Sequence, residues 1–223
     1  MKVVVLAGGL GTRFSEYTKK IPKPMIKIGS DPILIHIMKI YLNHGHNEFI
    51  LALGYKAQII REYFKVSSRC TKLETVIGKH KVKIHFINTG KLTMTGGRLK
   101  RLKFMFKRNE DFLMTYGDGV SDVNINKAIK FHKKNNKVLT LTAVRPPARF
   151  GSISLYGKRV KTFKEKNQLK EGWINGGFFI INWKIFKYLK SDATILEREP
   201  FEQIAKDKML YAFKHDGFWQ CMD

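Results

Sequence analysis

Short apolar runs alternate along this chain with stretches whose apolar positions recur every three to four residues. Residues 3–6, Val-Val-Val-Leu, form such a run and read as a strand buried on both faces. Residues 32–43 have helical spacing. Ile33, Ile37, Ile40 and Tyr41 fall mostly on one face, with Asp31 at the cap, Pro32 at the first position and Gly45 past the end. The same reading predicts strands over 48–53, 82–87, 112–116 and 138–144, and helices over 57–64, 97–106 and 126–134. In the 97–106 helix Leu99, Leu102 and Phe106 are directed to the core. From residue 151 the pieces become shorter and hairpin-like, followed by a strand over 174–181 and helices over 183–189 and 200–206. Residues 65–81 support no assignment.

This alternation predicts an α/β fold: one Rossmann-like, mixed, mainly parallel sheet with helices on both faces and a small β-rich lobe. No internal repeat or low-complexity linker divides the chain. Residues 1–223 therefore read as a single domain, with 1–145 and 146–223 as its two parts.

The first strand runs directly into Ala7-Gly8-Gly9-Leu10-Gly11-Thr12-Arg13, and Pro22-Lys23-Pro24-Met25 follows. Glycines let backbone N–H groups approach an anion closely, so such a turn suits phosphates. It is not the dinucleotide fingerprint, because Phe14 stands where a third glycine is required. No P-loop pattern occurs anywhere in the sequence. A bare βα connection would also explain the glycines. Lys23 goes further, because the flanking Pro22 and Pro24 stiffen it and deny it a helix. Gly117-Asp118-Gly119 closes the 112–116 strand. It reads either as turn chemistry or as a carboxylate at the strand end, where ligands gather in open α/β sheets.

Charge changes the picture in one respect. The chain carries 42 Lys and Arg against 18 Asp and Glu, a net charge of +24. Lysines dominate and are scattered, whereas base-reading proteins favour bidentate arginines, and no aromatic RNA-binding motif is present. A solvated basic surface that attracts small polyanions is the expectation, rather than a nucleic-acid site. No apolar run reaches the length of a membrane span, and no signal-peptide pattern opens the chain, so the cytoplasm is expected. Cys70 and Cys221 lack metal-type spacing and read as free thiols. The seven histidines also lack metal-ligand spacing.

Beyond these readings, several blocks occur in a recognisable order. They are Leu6-Ala7-Gly8-Gly9-Leu10-Gly11-Thr12-Arg13, Ile21-Pro22-Lys23-Pro24-Met25, Met94-Thr95-Gly96-Gly97-Arg98, Thr115-Tyr116-Gly117-Asp118-Gly119, Pro146-Pro147-Ala148-Arg149-Phe150-Gly151, Ile174-Asn175-Gly176-Gly177 and Phe218-Trp219-Gln220-Cys221-Met222-Asp223. Together they resemble the sugar-1-phosphate nucleotidyltransferase family, in its cytidylyl-transferring branch. The resemblance implies transfer of a cytidylyl group from CTP to glucose 1-phosphate, with Mg²⁺ as cofactor. It implies nucleotide contacts from Leu6, Ala7, Gly8, Gly9, Leu10, Gly11, Thr12, Arg13, Lys23 and Gly117, with Thr95, Gly96 and Gly97 at the base and Arg98 at the base or the phosphate. Arg13, Lys23 and Asp118 would be catalytic, and Asp118 and Asp223 would hold the metal. Gly151, Glu165, Lys166, Asn175 and Gly176 would bind the sugar phosphate, which makes the small lobe a sugar-binding one.

Two departures stand out. Cys221 occupies a proline position of the family, and the family continues past Asp223 in a tail that helps subunits associate. A fragment, or an impaired enzyme, is therefore expected, and a homo-oligomer where the tail is present. Two other readings stay open: another sugar 1-phosphate or small phosphate as acceptor, or another nucleotide (UTP or dTTP), and a catalytically impaired or basic nucleic-acid-binding protein that keeps the fold.

Overall fold

The strand at residues 3–6 lies near the middle of an eight-stranded sheet in this computed structural model, which describes residues 1–9, 20–146, 152–164 and 172–222. In chain order the strands are β1 (Lys2–Leu6), β2 (Lys27–Ile28), β3 (Asp31–Pro32), β4 (Glu48–Leu53), β5 (Lys72–Ile77), β6 (His80–Asn88), β7 (Asp111–Tyr116), β8 (Gly119–Ser121), β9 (Leu139–Val144), β10 (Ser152–Tyr156), β11 (Arg159–Lys164), β12 (Ile174–Asn182), β13 (Leu210–His215) and β14 (Trp219–Cys221). Among the described residues the α-helices are α1 (Ile33–Leu42), α2 (Ala57–Tyr63), α3 (Thr95–Arg101), α4 (Ile125–Asn135) and α5 (Glu199–Lys206).

The main sheet has the order β13-β9-β12-β7-β1-β4-β6-β5. β7, β1, β4 and β6 run parallel, β13 runs parallel to β9, and β12 and β5 run antiparallel to their neighbours. Separate two-stranded pairs are β10 with β11, β8 with β14 and β2 with β3. The mixed, mainly parallel sheet matches the sequence reading.

β1 shows why an unbroken apolar run was needed. Val3 and Val5 enter a core with α1, α2 and α4, while Val4 and Leu6 enter a second core on the other face with Leu99, Leu102, Ile185 and Ile204. All four residues are buried. Alternate residues of a strand face opposite sides, so a strand covered on both faces can spare no polar position. The helices thus lie on both faces of the sheet.

Several local expectations are corrected. Asp31 does not cap α1, because Pro32 takes the cap position in extended backbone and Asp31 pairs with Ile28 in the β2–β3 ladder. A residue before proline is pushed to extended backbone, and the Asp31 carboxylate instead accepts from Lys39 Nζ at 2.6 Å. The 97–106 helix is α3 followed by a 3-10 turn, Lys103–Met105, with Leu99, Leu102 and Phe106 all buried. Residues 183–189 give a 3-10 turn, Trp183–Tyr188, rather than an α-helix. The region without an assignment holds β5, an edge strand, and β13 and β14 near the C-terminal end were not anticipated. Among the described residues no helix is long and apolar enough to cross a membrane.

Candidate active site

The functional candidates meet at the carboxyl ends of β1 and β7. Two paired strands end there side by side, Leu6 opposite Tyr116, and their following loops share the same edge. β12 runs antiparallel to β7, so its first residues, including Asn175 and Gly176, begin beyond that same edge.

Gly8 is held from behind. Its carbonyl accepts from Arg98 Nη2 at 2.7 Å and from Tyr55 N at 3.1 Å. A Cβ on Gly8 would stand 2.3 Å from Arg98 Nη1 and 2.7 Å from the Gly54 backbone nitrogen, so only glycine fits. Because a trans peptide points its C=O and N–H in opposite directions, a Gly8 carbonyl fixed toward Arg98 leaves the Gly9 N–H aimed away from it. Gly9 is exposed and a Cβ there would meet nothing, so this side of the turn is open.

Arg98 is thereby placed differently from the base or phosphate role expected of it. It is only 3% exposed, and its guanidinium donates to the carbonyls of Gly8, Leu53, Gly90 and Lys91 and to Thr89 Oγ1. Burial, and then the charge on Arg101, lowers its pKa. It is a buried cation that ties the ends of β1, β4 and β6 together beneath the glycine turn.

Lys23 is buried in a 3-10 turn, Lys23–Met25, entered through extended Pro22. Its Nζ lies 2.9 Å from Asp118 Oδ2. Gly117 makes this approach possible, since a Cβ there would sit 2.8 Å from Pro24 Cγ and 2.9 Å from Leu6 O. The stiff proline turn therefore packs directly on the joint of β1 and β7, and Lys23 arrives at the carboxylate by backbone placement rather than by a flexible reach.

The far end of the chain returns to the same place. β14 pairs with β8, Met222 N donates to Asp118 O at 2.8 Å, and Trp219 Nε1 donates to Gly176 O at 2.7 Å. Ser121 Oγ also donates to Phe218 O at 2.8 Å. Asp223 itself lies outside the described residues, as do Leu10, Gly11, Thr12, Arg13, Gly151, Glu165 and Lys166.

The Thr95-Gly96-Gly97 stretch opens α3. The N–H groups of Gly96 and Gly97 both donate to Thr194 O, at 2.9 and 3.2 Å. A Cβ on Gly97 would meet Asp192 O at 2.3 Å. These glycines serve close packing of α3 on residues 192–194, and their amides are already taken. Thr95 Oγ1 donates to Glu197 Oε2 at 2.7 Å and accepts from Leu196 N at 2.9 Å. Tyr116 Oη donates to Glu197 Oε1 and accepts from Asn175 Nδ2 at 3.4 Å, while Asn175 Oδ1 accepts from Gly177 N at 2.9 Å. Burial, and then the charge of Glu197, raises the Tyr116 pKa strongly and keeps its proton in place. Sequence reasoning missed both Tyr116 and Glu197 as site residues. Tyr116 lay within a quoted block, but Glu197 had no motif to mark it.

Among the described residues no group of three or more His, Cys, Asp or Glu side chains is arranged to hold a metal ion. Cys70 and Cys221 are not joined by a disulfide.

Fold and site set a buried lysine and a carboxylate together at the carboxyl edge of an α/β sheet, and comparison gives the family. The nucleotidyl transferase family matches residues 2–220, so the chain belongs to that family and is an enzyme. Within it the chain is 44% identical to the glucose-1-phosphate cytidylyltransferase of Salmonella typhi, over all of this chain and 91% of the relative. It is 42% identical to the probable glucose-1-phosphate cytidylyltransferase of Bacillus subtilis with the same coverage. Among solved structures, HddC from Yersinia pseudotuberculosis complexed with GMP-PN superposes with a TM-score of 0.71 at 26% identity, covering 99% of this chain and 92% of that one.

Proposed function

We propose that this chain transfers a cytidylyl group from CTP to glucose 1-phosphate, giving CDP-glucose and pyrophosphate. A phosphate oxygen of the sugar phosphate attacks the α-phosphorus of CTP. A new P–O bond forms, the bond to the bridging oxygen breaks, and its electron pair leaves with pyrophosphate. The nucleophile needs no general base, because a phosphate monoester with a second pKa of about 6 is already largely ionised at neutral pH. What the site must do is hold mutually repelling anions in line and stabilise the charge that spreads in the transition state.

The observation that supports this reading is the Lys23–Asp118 pair, set at the shared end of β1 and β7, where β1 runs on into Gly8 and an exposed Gly9. In the proposed reaction the Gly8, Gly9, Leu10 and Gly11 amides receive the triphosphate, Thr12 and Arg13 meet the leaving pyrophosphate, and Lys23 serves the α-phosphate. Glu165 and Lys166, with Gly151, Asn175 and Gly176, take the sugar phosphate. Thr95, Gly96 and Gly97 shape the base pocket through the packing of α3 rather than through free amides, since Thr194 O occupies those of Gly96 and Gly97. Arg98 supports the turn from below.

Asp118 and Asp223 are the residues that would hold Mg²⁺. Carboxylates are the oxygen donors a hard cation takes, the Asp118 carboxylate already faces the Lys23 ammonium, and Met222 N donates to Asp118 O. When bound, the ion would offset charge on the phosphates. The test is turnover with glucose 1-phosphate against CTP, UTP, dTTP, GTP and ATP, with Mg²⁺ present and the sugar nucleotide identified by mass. CTP should exceed the others by at least tenfold. Preference for another nucleotide would overturn the base assignment, and no pyrophosphate with any of them would overturn the reaction.

A further inference from the structure

Glu197 has no part in the site as read from the sequence, yet it is where three separate segments meet. Its carboxylate takes the Tyr116 hydroxyl at the end of β7 on Oε1 and the Thr95 hydroxyl at the start of α3 on Oε2. Two further bonds extend the chain of contacts: Asn175 Nδ2 to Tyr116 Oη at 3.4 Å, and Leu196 N to Thr95 Oγ1 at 2.9 Å. The fit is close. A Cβ on Gly177 would stand 2.7 Å from Tyr116 Cδ2, and the Tyr116 ring meets Phe179 edge-on with centroids 5.4 Å apart.

An ionised carboxylate can only accept hydrogen bonds. Both hydroxyl protons must therefore point at Glu197. With its proton spent there, Tyr116 Oη has only lone pairs to offer Asn175, so the Asn175 amide must present its NH₂ to Tyr116. Its oxygen then faces the Gly177 N–H, as observed at 2.9 Å. The acceptor-only carboxylate thus sets the direction of the three side-chain bonds that run from Thr95 to Asn175.

We propose that Glu197 is a positioning residue that couples the two substrate sides of the proposed site, orienting Asn175 through Tyr116 on the sugar side and the start of α3 through Thr95 on the base side. This rests on the cytidylyl-transfer reading and adds to it a residue that touches neither substrate.

The test is steady-state kinetics of the full chain with CTP and glucose 1-phosphate, on wild type and on Glu197→Gln, Tyr116→Phe and Thr95→Val. Gln has the same shape but must donate one hydrogen bond where Glu accepted two, so it reverses one bond of the network while filling the same space. Glu197→Gln should raise KM for both substrates by about tenfold, with kcat within about threefold and an unchanged thermal midpoint. Hydrogen bonds to a charged group carry differences of that size. Tyr116→Phe should raise KM mainly for glucose 1-phosphate, and Thr95→Val mainly for CTP. A Glu197→Gln enzyme with both KM values within twofold of wild type overturns the inference. So does one that changes only one KM, or one whose midpoint falls while both KM values hold. Absence of wild-type turnover with CTP and glucose 1-phosphate overturns the underlying reading and this inference with it, an outcome distinct from an active wild type and an indifferent variant.

Discussion

At the scale of single residues, the chemistry follows from a few atoms that other side chains force into place. Lys23 meets Asp118 because Gly117 lacks the Cβ that would strike Pro24 and Leu6. Gly117→Ala should therefore push the proline turn outward and lower kcat by about tenfold to a hundredfold, since a displacement near 1 Å is enough for losses of that size. Unchanged turnover in a folded variant would show that the contact is not needed. The sequence singled out Lys23 and Asp118, which the fold brings together, because stiff prolines around one lysine and a carboxylate between glycines at a strand end are local patterns. Arg98 and Glu197 were not legible in the same way. Their work is done through partners far away in the chain, Gly8 for Arg98 and Tyr116 and Thr95 for Glu197, and no spacing in the sequence announces such meetings.

At the scale of elements, the central strands were readable and the edges were not. β1 and β4 are buried on both faces, so their apolar runs are unbroken. β5 and β13 are edge strands with half-exposed faces, and their mixed sequences resemble loops. α3 illustrates a different failure of local reading. A pair of glycines at a helix start reads as a ligand loop, yet here both let the helix press against residues 192–194. Gly97→Ala would drive a Cβ into the Asp192 backbone and should destabilise the protein by about 1–3 kcal/mol, the usual cost of overpacking, measured by urea unfolding. A change within about 0.5 kcal/mol would mean that α3 can retreat freely. The helix holds Thr95 and Arg98, so the same variant should also weaken nucleotide binding.

At the scale of the whole molecule, the fold brings the Asp118 carboxylate, the buried Lys23 and the exposed Gly9 to one sheet edge, and a net charge of +24 favours the approach of anions. Stability carries its own pH signature. Burial, then the nearby N-terminal ammonium, lowers the His46 pKa to about 4 from 6.5. Its folded pKa is depressed, so the unfolded chain binds the proton first. Stability is then full above pH 6.5 and is lost as pH falls toward 4, by about 2 kcal/mol at pH 5 from this group. Urea unfolding at pH 7.5 and 5 should show that slope, and His46→Gln should flatten it; an equal slope in both proteins would assign it elsewhere. The most direct test of the central claim, that Lys23 and Asp118 form the reacting centre, is single-turnover pyrophosphate release from CTP and glucose 1-phosphate with Mg²⁺ in Lys23→Ala and Asp118→Asn. Each variant is first shown to be folded by its thermal midpoint. The account predicts a loss of at least about a hundredfold in each, the size expected when a group that stabilises transition-state charge is removed. Release at the wild-type rate from either folded variant would contradict it.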